Sequence, residues 1–327
     1  MKEHGGLKHP LIEVFGYPVD TFSPQAKASI FMDQTTLFDI DKIVNVAKVS
    51  QRSPFRYPGG KTWLVPWARG WLKSLSRRPA VFVEPFCGGG IISLTAAFEN
   101  LADHIVMVEL DDQIASVWKV ILGSEDDRKW LANRITDFKL SHETACETLN
   151  ETPQTIRDKA FQTILKNRVY HGGILAEGSG MIKNGENGKG ISSRWYPETL
   201  KKRILDIGKV AEKITFIEGD GMEALRRYAD ADSAAFFIDP PYTAGGKKAG
   251  RRLYRFCDLN HQELFHVASS LKGDFLMTYD DAQEVRELAI SHEFDTHYVP
   301  MKGTHHIACM ELLVGRNLMW ARPREIA

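Results

Sequence analysis

The rhythm of apolar and polar positions changes at about residue 55. Before it, residues 1–52 show no glycine-rich turn and no clear strand–helix alternation, and a short helix between Ile30 and Val49 is the one element the pattern allows. After it, Lys61 to Leu75 reads as a helix that follows a glycine turn. Ala80–Glu84 (AVFVE) is a short apolar run ending in turn residues, as a parallel strand buried on both faces would be. Ile91–Glu99 reads as a helix, His104–Leu110 (HIVMVEL) as the next strand and Asp112–Leu122 as the next helix. Strand, glycine turn, helix and strand make the first half of a doubly wound sheet.

Residues 125–212 then break the alternation. They are mostly helical and polar, with a glycine-rich centre at 171–190 that is too polar and flexible for a core. Leu200, Ile204, Ile207 and Ala211 recur at helical spacing, which predicts an amphipathic helix over 198–213. The sheet pattern resumes at Ile214–Ile217 and Ala234–Ile238 (AAFFI), with further apolar runs at Phe275–Thr278 and Cys309–Val314. The expectation is an α/β fold: one sheet with helices on both faces, built from 53–124 and 213–327, with 125–212 inserted and 1–52 as an N-terminal arm packed on the main domain.

Composition narrows the function classes. With 43% hydrophobic and 26% charged residues among 327, the chain has the balance of an ordinary globular protein. No run of ~18 apolar residues suggests a membrane span. The charged, proline-broken start lacks the apolar core of a secretory signal. Cys87, Cys146, Cys257 and Cys309 form no CxxC pair, so no zinc site, other metal site or disulfide framework is expected, and a reducing cytoplasm is the default. Basic and acidic residues balance at 42 each, so any case for nucleic-acid binding rests on local charge.

Three motifs carry the chemistry. In Arg56-Tyr57-Pro58-Gly59-Gly60-Lys61, two glycines before a helix leave backbone N–H groups to meet an anion, and Lys61 adds charge; a plain helix-start turn is the alternative. In Val83-Glu84-Pro85-Phe86-Cys87-Gly88-Gly89-Gly90, a glycine turn between strand and helix lets a cofactor approach the backbone. It is not the GxGxxG of dinucleotide enzymes. Glu109 ends the next strand, where an acidic side chain commonly accepts ribose hydroxyls. In Phe237-Ile238-Asp239-Pro240-Pro241-Tyr242, Asp239 lies at the carboxyl end of an apolar strand, where such sheets bind ligands. Asp239 and the Pro240 carbonyl are adjacent acceptors, Pro241 helps fix the backbone, and Tyr242 adds a flat face. Together they suit a flat base bearing an NH2 group.

The ordered set RYPGGK, EPFCGGG, insertion, DPPYT resembles the Dam-type DNA adenine-N6 methyltransferases of the D12 class, over about residues 53–316. Asn167-Arg168, Gly219-Asp220 and a helix from His261 to Leu271 are similar to that pattern too. The resemblance implies a Rossmann-like methyltransferase sheet with an inserted target-recognition region. It also implies S-adenosylmethionine as methyl donor, without a metal. Tyr57 and Lys61 would hold its methionine end and Gly88 and Gly90 would give it room. Glu109 would bind the ribose and Asp220 the adenine, with Glu84 and Phe86 also in the cofactor site. Asp239, Pro240, Pro241 and Tyr242 would act on N6 of a flipped-out adenine in double-stranded DNA. Lys247, Lys248, Arg251, Arg252 and Arg255, directly after that motif, would follow phosphates, or form a solvated loop. Arg194 is expected on the DNA from the insertion, where Lys201, Lys202 and Arg203 equally suit the wet face of a helix. RNA as substrate, and a non-catalytic binder of the same fold, remain as alternatives. The stretch HPLIEVFGYPVD (9–20) is similar to the opening of some restriction endonucleases, and a paired endonuclease is left open along with the oligomeric state.

Overall fold

Residues 44–57, 59–185, 188–241, 255–256, 258–302 and 308–322 are described by a computed structural model, and Val44–Met301 with Met310–Ala327 form one compact unit. Seven strands form a single sheet: β1 (Val81–Glu84), β2 (His104–Glu109), β3 (Ile214–Glu218), β4 (Ala234–Ile238), β5 (Asp274–Asp280), β6 (Asp295–Lys302) and β7 (Ala308–Gly315). Their order is β3-β2-β1-β4-β5-β7-β6. The first five are mutually parallel, and β7 runs antiparallel to β5. The order reverses between β1 and β4, and the crevice beyond their carboxyl ends is where sheets of this kind bind ligands.

Alternation along each strand divides the core in two. Phe82, Ile105, Met107, Ala235 and Phe237 feed one buried cluster, whereas Val83, Val106, Val108, Phe236 and Ile238 feed the other. On the first side lie α1 (Val65–Ser74), α2 (Ile91–Phe98), α3 (Asp112–Leu122), α4 (Glu125–Asp137), α5 (His142–Asn150), α6 (Ile156–Val169) and α7 (Pro197–Ile207). On the second lie α8 (Gly221–Tyr228), α9 (His261–Ser270) and α10 (Gln283–Ser291). Layers on both faces explain why the central strands read as unbroken apolar runs.

The predicted elements hold, with local differences that have physical causes. Helix 61–75 divides into a 3-10 turn, Lys61–Leu64, and α1, because Pro66 suits only the first turn of an α-helix and so sets its start at Val65. Helix 198–213 likewise ends at Ile207, and Gly208–Lys213 continues as 3-10 turns. Within the predicted helix at 30–49, residues 46–48 form a 3-10 turn, and 30–43 lie outside the described residues together with 1–29 of the expected N-terminal arm. Strand β6 and helix α10 were not expected. Pro300 masks β6 in the sequence, and it is tolerated because β6 is at the sheet's edge.

The inserted helices share the core of the sheet. α6 packs along α3, and Leu131, Ile135, Phe161, Ile164, Leu165 and Ile204 join the same cluster as Phe82 and Met107. α5 and α6 start in reciprocal capping boxes, Ser141 with Thr144 and Thr155 with Asp158. From α6 the fully buried Asn167 reaches back to the segment before the first motif. Its Oδ1 accepts from Arg56 N at 2.8 Å, and its Nδ2 donates to Arg56 O at 2.9 Å and Gly173 O at 2.8 Å. Asn167→Ala would leave these backbone groups without partners. A loss of about 1–3 kcal/mol for each group that stays buried is expected, measurable as a lower urea midpoint at unchanged slope.

Candidate active site

A cleft of about 720 Å³ opens at the carboxyl ends of β1, β2 and β4. Of the expected site residues it is lined by Tyr57, Lys61, Glu84, Phe86, Gly90, Glu109, Arg194, Asp220, Asp239, Pro240 and Pro241. Tyr242, Lys247, Lys248, Arg251 and Arg252 lie outside the described residues.

Each acidic side chain is set by its element. Glu84 ends β1, is buried, and accepts from Ser93 N of α2 at 2.9 Å. Glu109 ends β2 and accepts from Gly88 N at 2.8 Å and from Asp111 N at 2.9 Å. Asp220 caps α8 through Met222 N at 2.7 Å. Asp239 follows β4 and accepts from the Thr278 hydroxyl of β5 at 2.9 Å. Burial of Cys87 pushes its thiol well up, so the sulfur beside the glycine turn stays protonated.

Lys61, expected to add its charge at the glycine turn, is met by carboxylates in this structure. It is 4% exposed, and its ammonium lies 3.0 Å from Asp239 Oδ1, 3.1 Å from Glu311 Oε1 and 3.2 Å from the Gly59 carbonyl. Two carboxylates satisfy a buried charge better than an open turn could. The protein itself also packs closely around Gly88 and Gly90. Both glycines have positive φ, 44° and 60°. A Cβ on Gly88 would stand 2.6 Å from the Tyr57 ring, and one on Gly90 would stand 2.5 Å from Met107 Cε. The glycines therefore let Tyr57, Met107 and Trp118 close on the turn, and Trp118 Nε1 holds the Gly88 carbonyl at 2.9 Å.

The cleft lining also holds a basic group. Arg56, Arg168, Arg194 and Arg203 all line the cleft, with Tyr196 among them. Arg203 donates to Ser53 O at 3.0 Å and Arg168 to Pro54 O, which ties two guanidiniums to the segment before the first motif. Arg168 Nε is buried without a partner among the described residues. Burial first, then the charges of Arg203, Arg56 and Arg194, pull the Arg168 guanidinium down to about 10. Arg203 thus faces the cleft, while Lys202 pairs with Asp206 and Lys201 with Asn133 on the outside. Arg255, expected on DNA, lies 2.7 Å from Asp111 and 2.5 Å from Asp112 at the start of α3.

Sequence reasoning did not single out Arg56, Arg168 or Arg203 as members of one cluster, nor Leu110 and Phe256. The last two are 47% and 49% exposed apolar residues facing the cleft, suited to gripping a flat ring. Their unusual exposure is visible only in three dimensions. Among the described residues no group of His, Cys, Asp and Glu could hold a metal ion, and no helix is long and apolar enough to cross a membrane.

Burial raises Glu84 from the ordinary 4.5 to about 8, with Asp239 and Glu109 adding to the rise and Ser93 opposing it. Burial likewise raises Glu109 to about 7, opposed by the N–H groups of Asp111 and Gly88. A carboxyl with a raised pKa in the folded state favours folding fully below its unfolded value and loses that contribution as pH rises through the folded one. Between 4.5 and about 8, Glu84 therefore makes stability fall with rising pH. The thermal midpoint of the ligand-free protein should drop across this window, and the drop should be shallower in Glu84→Gln.

No curated protein sequence matches the chain. Solved structures match it at low identity and low TM-score. The SAM-dependent methyltransferase from Agrobacterium tumefaciens is 11% identical, with a TM-score of 0.36, and the match covers 78% of this chain and 61% of that one. This chain thus accounts for under two thirds of that structure's length. The precorrin-6y C5,15-methyltransferase from Geobacter metallireducens is 11% identical, with a TM-score of 0.35, over 85% and 94% of the two chains. An rRNA methyltransferase from Streptomyces viridochromogenes is 14% identical, with a TM-score of 0.34, over 86% and 95%. The family profile for D12 class N6 adenine-specific DNA methyltransferases matches residues 57–303, from the Tyr57 that packs on the glycine turn to beyond β6. With well over half of its length matched, the chain belongs to the D12 class N6 adenine-specific DNA methyltransferase family.

Proposed function

We propose that this protein transfers a methyl group from S-adenosylmethionine to N6 of an adenine in double-stranded DNA. One observation carries the reading: a single cleft is lined both by the acidic groups at the strand ends, Glu84, Glu109 and Asp239, and by the arginines Arg56, Arg168, Arg194 and Arg203. The donor carries a sulfonium and an ammonium group, and the carboxyls of Glu84 and Glu109 line the same cleft. Glu109 and Asp220 would hold its ribose and adenine, with Leu110 and Phe256 against the adenine ring. When bound, the donor supplies an electrophilic methyl group.

The rest of the chemistry falls to the protein. The adenine N6 lone pair is delocalised into the ring and is a weak nucleophile. Asp239 and the Pro240 carbonyl both accept from N6–H, which favours a tetrahedral nitrogen and stabilises the positive charge that grows on it. Such an acceptor reaches N6 only when the base has left the stack, at a cost of a few kcal/mol. The four arginines would meet the phosphates beside the extruded base. A buried guanidinium with an unpartnered N–H binds an anion more strongly than an exposed one. Tyr242, Lys247, Lys248, Arg251 and Arg252 are proposed to stack on the base and follow the strand, as the sequence implies.

Asp239→Ala should lower turnover by about 10²–10³, or ~2.7–4 kcal/mol, with donor affinity by calorimetry largely kept. Digestion and mass spectrometry of the product should show N6-methyladenine; 5-methylcytosine, N4-methylcytosine or a preference for structured RNA would overturn the substrate assignment. Replacing both Arg168 and Arg203 by Gln should weaken binding to cognate and scrambled duplexes alike. It should also flatten the log–log salt slope by up to about two.

A further inference from the structure

We propose that Glu311, on β7, is a positioning residue for methyl transfer, acting on Asp239 through Lys61. The proposal rests on the reading of Asp239 as the acceptor for the substrate amine. Glu311 is 3% exposed and belongs to none of the three motifs; β7 reaches the site only because it pairs with β5, where Glu311 faces Asp280. Its Oε1 lies 3.1 Å from the Lys61 ammonium, which lies 3.0 Å from Asp239 Oδ1. Thr278, also on β5, donates to the same Asp239 oxygen. Two donors on one oxygen set the plane and rotation of the Asp239 carboxylate.

The ion pairs explain how Glu311 can act at a distance. It gives the buried Lys61 ammonium a second acidic partner beside Asp239, and so holds the ammonium in the position from which it orients the Asp239 carboxylate. A lysine serving only to fill the core would not need two acidic partners, one of them as deeply buried as itself.

The test uses the full chain with S-adenosylmethionine and duplex DNA, comparing Glu311→Gln, Glu311→Asp and Asp239→Asn as single variants, and Glu311→Gln combined with Asp239→Asn. The glutamine keeps the shape and an acceptor for Lys61 but removes the charge. Turnover should fall about tenfold in Glu311→Gln and less in Glu311→Asp, below the 10²–10³ expected for the direct acceptor. Donor affinity and the Michaelis constant for DNA should stay within about twofold, because the interaction matters only as charge develops. On the Asp239→Asn background, Glu311→Gln should cost little more, since the two act as one unit. If the glutamine variant does not fold, the aspartate variant carries the test, with a severalfold drop in turnover at unchanged donor affinity. Wild-type turnover in the folded variants, a parallel loss of donor affinity, or full losses that multiply in the double variant would each overturn the proposal. Full activity of Asp239→Asn alone would instead sink the reading of Asp239, which separates the two failures.

Discussion

A lysine ammonium with 4% exposure demands partners, and around Lys61 that demand is met by segments far apart in the chain. The glycine turn supplies the lysine and a carbonyl, the end of β4 supplies Asp239, and β7 supplies Glu311. Breaking such a buried pair by removing one partner leaves an uncompensated charge in a medium of low polarisability. The turn before α1, the crevice at the strand-order reversal and the antiparallel end of the sheet are thereby locked into one geometry. The placement of Asp239 follows from that geometry, because the carboxylate that ties the lysine down also lines the cleft.

The cleft is polarised by topology. Parallel strands deliver Glu84, Glu109 and Asp239 to the same edge, since all three follow or end strands running the same way. The arginines come from other elements: Arg168 from α6, Arg203 from α7, Arg194 from the 3-10 turn before α7, and Arg56 from the segment that Asn167 holds. On the proposed function, a cationic donor and a polyanionic strand would occupy one cavity without competing for the same charges.

Much of this was legible in the chain. Apolar runs of four to seven residues gave the central strands because helices cover both faces, and the glycine turn and the Asp-Pro-Pro motif fell at strand ends as their order implied. What stayed hidden was convergence. Glu311 sits in a run that reads as core, and only its pairing with β5 brings it to Lys61. Arg56, Arg168 and Arg203 are spread over about 150 positions, and no local pattern links them. Lys61 was recognised as a site residue, but a sequence shows only that a lysine follows two glycines, not that Asp239 and Glu311 meet its ammonium. Arg255 was read as part of a basic run, whereas the fold sets it against the acidic start of α3.

The pairing of β1 with β4 has a consequence for how the chain is made. Val81 lies beside Ala234, so the two central strands of the sheet are separated by the whole of α2 to α8. On the ribosome β1 and β2 can pair early, and the helices from α3 to α7 can pack against them, while one side of β1 still lacks its neighbour. Until β4 emerges, a short apolar strand presents unpaired N–H and C=O groups, which is the kind of edge that recruits other chains. The contacts that complete the centre span a long stretch of sequence, and such contacts form slowly. Production of this protein should therefore be most vulnerable during the synthesis of residues between β2 and β4, and helpers that shield nascent strand edges should raise its soluble yield more than those that act on the finished chain.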